Sequence, residues 1–360
     1  MARDRRSQQR THEYSGLGIT LGDPAGVGAE VLVKALAHPR LARVRAVVIG
    51  DLATVRETAA RLGLALRPRA IDEAALAAPA RGPRAPGDVP VLASRPLSAR
   101  ARRPGHPTRE GGRAAYRAIE TAARLARAGV LGGLVTAPIS KEWVTRAGFP
   151  ITGHTELLRA LTGARDVRMM LAGRRLKVVL VTMHIALRAV PGAIRGAEVE
   201  RTIRVADAHL RRYDRLDPPR LAVAGLNPHA GEGGLFGKEE RTVIEPAVAR
   251  ARCAGIAVSG PFSPDTVFVR AAGGEFDAVI AMYHDQGLIP LKLLHFHDAV
   301  NVTMGLPIVR TSPDHGTAFD IAGRGIARPT SMIEAIALAA RMARRDAGAE
   351  PAAARGRQAR

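Results

Sequence analysis

Aromatic residues make up 3% of this 360-residue chain: one Trp, four Tyr and seven Phe. A core built from it must be aliphatic, and no aromatic-interleaved basic stretch of the kind that stacks single-stranded nucleic acid is present. Cys253 is the only cysteine, so no disulfide can close within the chain. It follows Ala-Arg in a helical pattern, which predicts a small buried residue. No apolar run reaches the roughly 18 residues of a membrane span. The opening MARDRRSQQRTHEYSG is charged with no apolar segment behind it and does not read as a secretory signal. A cytoplasmic enzyme or binding protein is expected, with no membrane partner. The chain carries five lysines against a net charge of +21, so the excess is arginine, spread along the sequence. That distribution reads as compositional bias, and no nucleic-acid partner is expected.

Apolar residues account for 46% of the chain, enough for a large core and two domains of ordinary size. Short aliphatic runs fall at 16–22, 44–50, 129–138, 176–184, 220–228, 277–284 and 299–307. They are continuous rather than alternating, as strands covered on both faces are. Between them EVLVKALAH, AAYRAIETAARLARAG, EVERTIRVADAHLRRYD and SMIEAIALAARMARRD space their apolar residues by three and four, the period of an amphipathic helix. Gly129 is placed as a helix stop. Strand–helix alternation predicts an α/β protein with mostly parallel sheets. Residues 78–110 are rich in Pro, Gly and Arg and read as a long surface excursion around a short strand, VPVLA. Residues 1–15 and 347–360 read as disordered, basic or Ala-rich ends.

Ligands of open α/β sheets bind beyond the carboxyl ends of strands. There the sequence places GDPAGVG (22–28), TAPISK (136–141), TMH (182–184), NPHAGEGG (227–234) and YHDQG (283–287). One His past a strand is ordinarily structural. His184, His229 and His284 occupy three equivalent positions, and three imidazoles with an open fourth place are a familiar catalytic metal arrangement. Their long spacing gives no geometry. GDPAGVG is neither a P-loop, for it lacks Gly-Lys-Ser/Thr, nor a Gly-x-Gly-x-x-Gly fingerprint. It reads as a tight strand-to-helix turn with Glu30 in the first helical turn. In TGHTELL, Thr152 or Thr155 is expected to cap a helix beginning near Glu156. That end either binds phosphate beside His154 or is capped and nothing more. Lys292, Asn301 and Arg310 sit in the apolar stretch LKLLHFHDAVNVTMGLPIVRTS and should be paired or face a cleft. In SPDHGTAFDIAGRG, glycines 316, 323 and 325 permit close backbone approach, and Asp314 and Asp320 are placed to take ribose hydroxyls.

HGTAFDIAGRGIARP resembles the adenosine-binding loop of the isocitrate and isopropylmalate dehydrogenase superfamily, which binds NAD without the Rossmann fingerprint. With ITLGDPAGVGAE, VTAPISKE, GHTELL, VTMHIALRAVP, NPHAGEGGLFGKEE, SPDTVF and MYHDQGLIPLK, in order from about residue 16 to 340, the chain resembles the PdxA family of vitamin B6 biosynthesis. The departures are GVGAE in place of Gly-Ile-Gly-Pro-Glu and the Arg-rich 78–110 stretch and ends. The resemblance implies two α/β/α domains, 16–150 with 310–346 and 151–309, with the active site in the cleft between them at a dimer interface. It implies a divalent ion (Zn, Mg or Co) on His184, His229 and His284, and substrate contacts from His154, Thr155, Lys292, Asn301 and Arg310. Catalytic roles fall on Lys292, Asp265 and Asp285. NAD or NADP contacts fall on Asp314, His315, Gly316, Thr317 and Asp320. The site is expected to be shared within a homodimer, His184 from one chain and His229 with His284 from the other. The reaction implied is oxidation of 4-phosphooxy-L-threonine to 2-amino-3-oxo-4-phosphooxybutanoate, which loses carbon dioxide to give 3-amino-2-oxopropyl phosphate. The nearest alternative acts on 4-phospho-D-threonate or D-erythronate 4-phosphate. A metal-dependent hydrolase or lyase without NAD is argued against by the 312–325 loop.

Overall fold

The short aliphatic runs become strands, each trimmed to the residues that find a neighbour. The computed structural model describes residues 16–77 and 85–347. Its strands are β1 (Leu17–Thr20), β2 (Ala46–Gly50), β3 (Arg67–Ile71), β4 (Asp88–Ala93), β5 (Gly133–Thr136), β6 (Arg168–Ala172), β7 (Lys177–Leu180), β8 (Leu221–Ala224), β9 (Val258–Phe262), β10 (Ala278–Ala281), β11 (Val300–Met304) and β12 (Arg310–Pro313). They form one sheet in the order β3-β4-β2-β1-β5-β12-β11-β6-β7-β10-β8-β9. The pairs from β3 through to β12 are parallel, as are those from β7 to β9. β11 is antiparallel to β12 and β6, and β6 to β7. Three reversals in a row make the two parallel blocks run in opposite directions, and they meet at β12-β11-β6. The expected α/β class and mostly parallel sheet are what the structure has.

The four helices read from the three- and four-residue spacing all form, as Gly28–Ala37, Arg109–Arg127, Gly196–Asp214 and Thr330–Ala347. The 109–127 helix begins where Thr108 Oγ1 accepts from Gly111 N at 3.0 Å, and Gly129 ends it with φ 72°. Its inward stripe includes Ala115, Ile119, Ala122 and Ala126. The core is mostly aliphatic: Leu17, Ile19, Leu32, Ile203 and Leu210 in one cluster, Ile119 and Leu134 in a second, and Leu171 and Leu180 in a third are fully buried, with Tyr213 and Phe268 as the aromatic exceptions. Each contributes about 1.5–3 kcal/mol over exposure, so an Ile19→Ala change is expected to destabilise the sheet centre.

Several expectations are corrected. Cys253 is exposed. Its helix, Glu245–Cys253, turns Ala247, Val248 and Ala251 inward, and two residues beyond Ala251 is about 200° round the helix. Neither Thr152 nor Thr155 caps the next helix, which begins at His154 behind Gly153 with no side-chain cap. The run 277–284 is a strand only to Ala281, and His284 opens a helix, His284–His295. β3, β6, β9 and β12 were not foreseen. β12 reads Arg-Thr-Ser-Pro and is buried at all four positions, because hydrogen bonds rather than hydropathy hold it there. In the 78–110 stretch VPVLA does form a strand, β4. Residues 1–15 and 348–360 lie outside the described residues, while Ala347 closes the last helix.

Candidate active site

Alternation along a strand sends residues i and i+2 to one face. In β12 these are Arg310 and Ser312, in β11 Asn301 and Thr303, in β6 Met169 and Leu171. The registers Asn301↔Ser312, Asn301↔Leu171 and Thr303↔Met169 put all six on the same face at the junction of the two parallel blocks. Over that face opens a cavity of about 370 Å³, lined by Met169, Asn301, Arg310 and Ser312 of the face and by Thr136, Lys141, His154, Thr155, Glu156, Met183, His184, Lys292, Asp314, His315 and Gly316. The site therefore lies partly on the face of the sheet and partly at strand ends.

Arg310 is 2% exposed. Its Nη1 donates to Thr303 Oγ1 at 2.8 Å and its Nη2 to Thr136 Oγ1 at 2.7 Å. Burial pushes its pKa down to about 10, with Glu156 opposing, so the guanidinium keeps its charge at neutral pH. Its Nε is buried without a hydrogen-bond partner among the described residues, as are His154 Nε2, His315 Nε2 and Asn301 Oδ1. Asn301 Nδ2 donates to Met169 Sδ at 3.2 Å. Burial holds His154 well below the ordinary imidazole range, with Arg310 and Lys141 adding to the effect, so His154 is neutral. Four buried polar atoms of Arg310, His154, His315 and Asn301 thus converge without protein partners, a costly arrangement that a polar ligand would satisfy.

The other end of the cleft is made by loops. Val181 N donates to Ala281 O (2.9 Å), and Thr182 N and Oγ1 both donate to Met282 O (3.2 and 2.7 Å). Two residues past that tie on each chain segment stand His184, in the cavity lining, and His284, outside it, with their ring centroids 5.4 Å apart. His284 Nδ1 lies 2.6 Å from Asp285 Oδ1, which leaves Nε2 as its free nitrogen. Burial lowers the pKa of His184, and Lys141 and His284 act in the same direction, so it is neutral as a metal ligand must be. Lys292 Nζ stands 3.6 Å from Asp314 Oδ2. Burial raises the Asp314 pKa, and Lys292 opposes it.

His229 does not join this pair. It lies in a left-handed stretch in which residues 229–233 all have positive φ, with its ring 6.3 Å from Phe236. Asp265 is near His229, and its Oδ1 accepts from Ser263 Oγ at 2.5 Å. Among the described residues no three His, Cys, Asp or Glu side chains stand close enough to hold an ion. Within one chain His184 and His284 stand side by side while His229 stands apart from them; the expected division is His184 from one chain against His229 and His284 from another. Thr317 and Asp320 lie farther along the 314–325 loop, outside the cavity lining. Sequence reasoning passed over Thr136, Lys141 and Glu156, all in the lining. For Lys141 and Glu156 the signal was present, as charged residues inside the motifs TAPISK and TGHTELL.

Comparison with known proteins gives the family. The family model described as pyridoxal phosphate biosynthetic protein PdxA matches residues 42–339. A 4-hydroxythreonine-4-phosphate dehydrogenase of Geobacter metallireducens is 50% identical over 327 residues, 91% of this chain and 95% of that one. A D-threonate 4-phosphate dehydrogenase of Salmonella typhimurium is 46% identical over 331 residues, 92% of this chain and all of that one. The crystal structure of 4-hydroxythreonine-4-phosphate dehydrogenase from Klebsiella pneumoniae superposes with a TM-score of 0.82 at 44% identity, covering 91% of this chain and 99% of that one.

Proposed function

The chain belongs to the PdxA family and is an oxidoreductase, and from that premise we propose that it oxidises the secondary alcohol of 4-phosphooxy-L-threonine with NAD or NADP in pyridoxal 5'-phosphate biosynthesis. The observation that carries this reading is the cleft over β12 and β11, where a charged, buried Arg310, a neutral His154 and Asn301, each with a buried polar atom that has no partner among the described residues, line a space the size of a small phosphorylated acid. The product, 2-amino-3-oxo-4-phosphooxybutanoate, is a β-keto acid and decarboxylates to 3-amino-2-oxopropyl phosphate.

His184 and His284 fit a divalent ion by donor chemistry: two neutral or orientable imidazoles, one already turned by a carboxylate, with one side open. When bound, such an ion supplies Lewis acidity toward the hydroxyl, and a nicotinamide dinucleotide supplies the hydride acceptor. The chain's own residues do the rest. Arg310 and His154, with Thr155 beside them, grip the phosphate or carboxylate, Arg310 through a planar fork suited to oxyanions. Lys292 Nζ, 3.6 Å from Asp314 Oδ2, gives its own proton to that carboxylate, then takes the proton of the alcohol and returns one to the product carbon after decarboxylation. Asp285 orients His284. Asp314, His315, Gly316, Thr317 and Asp320 line the path of the dinucleotide.

The third imidazole would come from a second copy. Ile185 and Leu187 beside His184, Leu235 and Phe236 beside His229, and Ile289, Leu293 and Phe296 on the 284–295 helix and its end are exposed, the last three at i, i+4 and i+7. A run of large exposed apolar residues around an incomplete site favours a homodimer in which His229 of the partner subunit, with Asp265 near it, completes the pair. The division into domains 16–150 with 310–346 and 151–309 belongs to this reading.

The relative from Salmonella typhimurium, at 46% identity, favours a second reading, a substrate of the D-threonate 4-phosphate or D-erythronate 4-phosphate kind with a hydroxyl in place of the amine. The test is NAD or NADP reduction against a panel of four-carbon phosphates, after chelation and after adding back zinc, cobalt or magnesium. Turnover with 4-phosphooxy-L-threonine that needs the metal is the expected result. Preference for the hydroxy acids selects the second reading, and no reduction with any of them overturns both.

A further inference from the structure

The turn and first helix of GDPAGVGAE contribute no group to the cleft lining, yet they hold one of the more elaborate polar clusters in the molecule. Glu30 is 3% exposed. Its Oε1 accepts from Ala327 N at 2.8 Å and from Lys34 Nζ at 2.8 Å, and its Oε2 accepts from Gly325 N at 3.2 Å. Lys34 Nζ in turn donates to Gly325 O and Ala327 O, both at 2.8 Å. One carboxylate and one ammonium, a helical turn apart, therefore satisfy two amides and two carbonyls at the end of the 314–327 loop. The same turn holds the loop's start: Val27 N donates to Thr317 O at 2.9 Å. A Cβ on Gly26 would stand 2.9 Å from that same oxygen, so only glycine lets the two backbones lie this close.

We propose that Glu30 and Lys34 are positioning residues for the dinucleotide: the GDPAGVGAE segment is a clasp that fixes the 314–327 loop in its binding shape rather than a phosphate loop that binds the cofactor itself. This rests on the reading that the loop receives NAD or NADP. The physical reason is that the loop has no sheet or helix hydrogen bonds of its own to set its shape. Apart from two turn bonds, Ile321 N to Ala318 O and Arg324 N to Ile321 O, its backbone groups must be satisfied from outside, and at its far end Glu30 with Lys34 does so from a rigid helix. A loop fixed before binding spares the dinucleotide the entropy of ordering it. Removing the clasp should weaken dinucleotide binding and leave the Arg310 end of the cleft untouched.

The test uses the full-length, metal-loaded protein with Glu30→Gln and Lys34→Met, each alone. NADH binding is read by its fluorescence, substrate binding and turnover by steady-state kinetics, and loop order by hydrogen exchange of peptides covering 316–328. The expected result is a rise of about tenfold in the Kd for NADH and in KM for NAD. The KM for the phosphorylated substrate and kcat at saturating NAD should stay within twofold, with faster exchange confined to the 316–328 peptides. If wild-type protein binds NADH and both variants bind it as tightly, the clasp has no positioning role. If NADH affinity, substrate affinity and kcat fall together with exchange rising across the sheet, Glu30 and Lys34 are merely structural and the proposal is equally overturned. If wild-type protein binds no dinucleotide at all, it is the dehydrogenase reading that fails, a distinguishable outcome. Lys34→Met keeps the buried carboxylate's two amide contacts and serves where Glu30→Gln does not fold.

Discussion

The two ends of the cleft are built by different means. The Arg310 end stands on strand faces: register fixes Arg310, Ser312, Asn301 and Thr303 next to one another, and the guanidinium is locked to Thr303 and Thr136. It is dry, with Arg310 2% exposed. The His184–His284 end stands on loops past strand ends, is half open, and holds two imidazoles where the sequence motifs offer three. Hydrogen-bonded register sets four polar side chains next to one another within a single chain. Loop-borne ligands wait for something else to complete them, in the proposed reading a second copy.

The largest effect should come from the dry end. Arg310→Met removes two charge-assisted contacts to an anion, each about 1.5–3 kcal/mol, so kcat/KM should fall on the order of 10³-fold. The melting temperature should fall modestly, because removal of a desolvated charge offsets part of the loss of the buried hydrogen bonds to Thr303 and Thr136. Steady-state NADH formation and a thermal melt check both. A collapse of the fold would show that Arg310 is a structural residue, and the comparison would lose one of its sides.

At the open end the expectation concerns complementation between inactive variants. If one chain contributes His184 and His284 and its partner His229, exchanging subunits of His229→Ala and His284→Ala yields mixed dimers with one intact site. Random pairing makes half the dimers mixed, so roughly a quarter of wild-type activity should return. His184→Ala mixed with His284→Ala should stay inactive, since both losses fall on one side. The division implied by family resemblance, with His229 and His284 on the same chain, predicts no recovery in the first mixture. Recovery there and silence in the second would sharpen the contrast between a one-chain and a two-chain end; the reverse would break it.

The contrast also explains what was legible in the sequence. Helices with a strong apolar stripe, such as 109–127 and 196–214, are written in their spacing, and seven aliphatic strands in their runs. β12 was not legible, because Arg-Thr-Ser-Pro becomes a buried strand only when β5 and β11 supply partners. Lys292, Asn301 and Arg310 were flagged by a simple physical rule, charge and amide in apolar surroundings, and all three line the cleft. The nearness of His184 to His284 was not legible, since it follows from the cross-links of Thr182 and Val181 to residues 281 and 282, a hundred positions away. Nor was the separation of His229, which depends on a left-handed backbone that no spacing announces.

The smallest expected effect probes the cost of a dry interior next to the same strands. Asp23, at the end of β1 with its N–H on Pro138 O, is fully buried, and its Oδ2 has no partner among the described residues. Burial raises its pKa from 3.8 to about 6, against the opposing hydrogen bond from Ala25 N. A carboxyl whose folded value lies above its unfolded value is penalised in the folded state, and the penalty depends on pH. Below about 3.8 both states carry the proton and the penalty vanishes; between there and about 6 it grows, and above about 6 folding must hold a buried anion or a costly proton. A rise of that size corresponds to about 3 kcal/mol at most. Asp23→Asn keeps an oxygen for the Ala25 amide and removes the charge, so it should stabilise the protein at pH 7.5 by about 1–3 kcal/mol, and by little at pH 4. Denaturant unfolding of both proteins across that range measures the difference. A gain that stays constant with pH would mean that Asp23 does not titrate within the window, and a loss at pH 7.5 would mean that its carboxylate is wanted there as an anion.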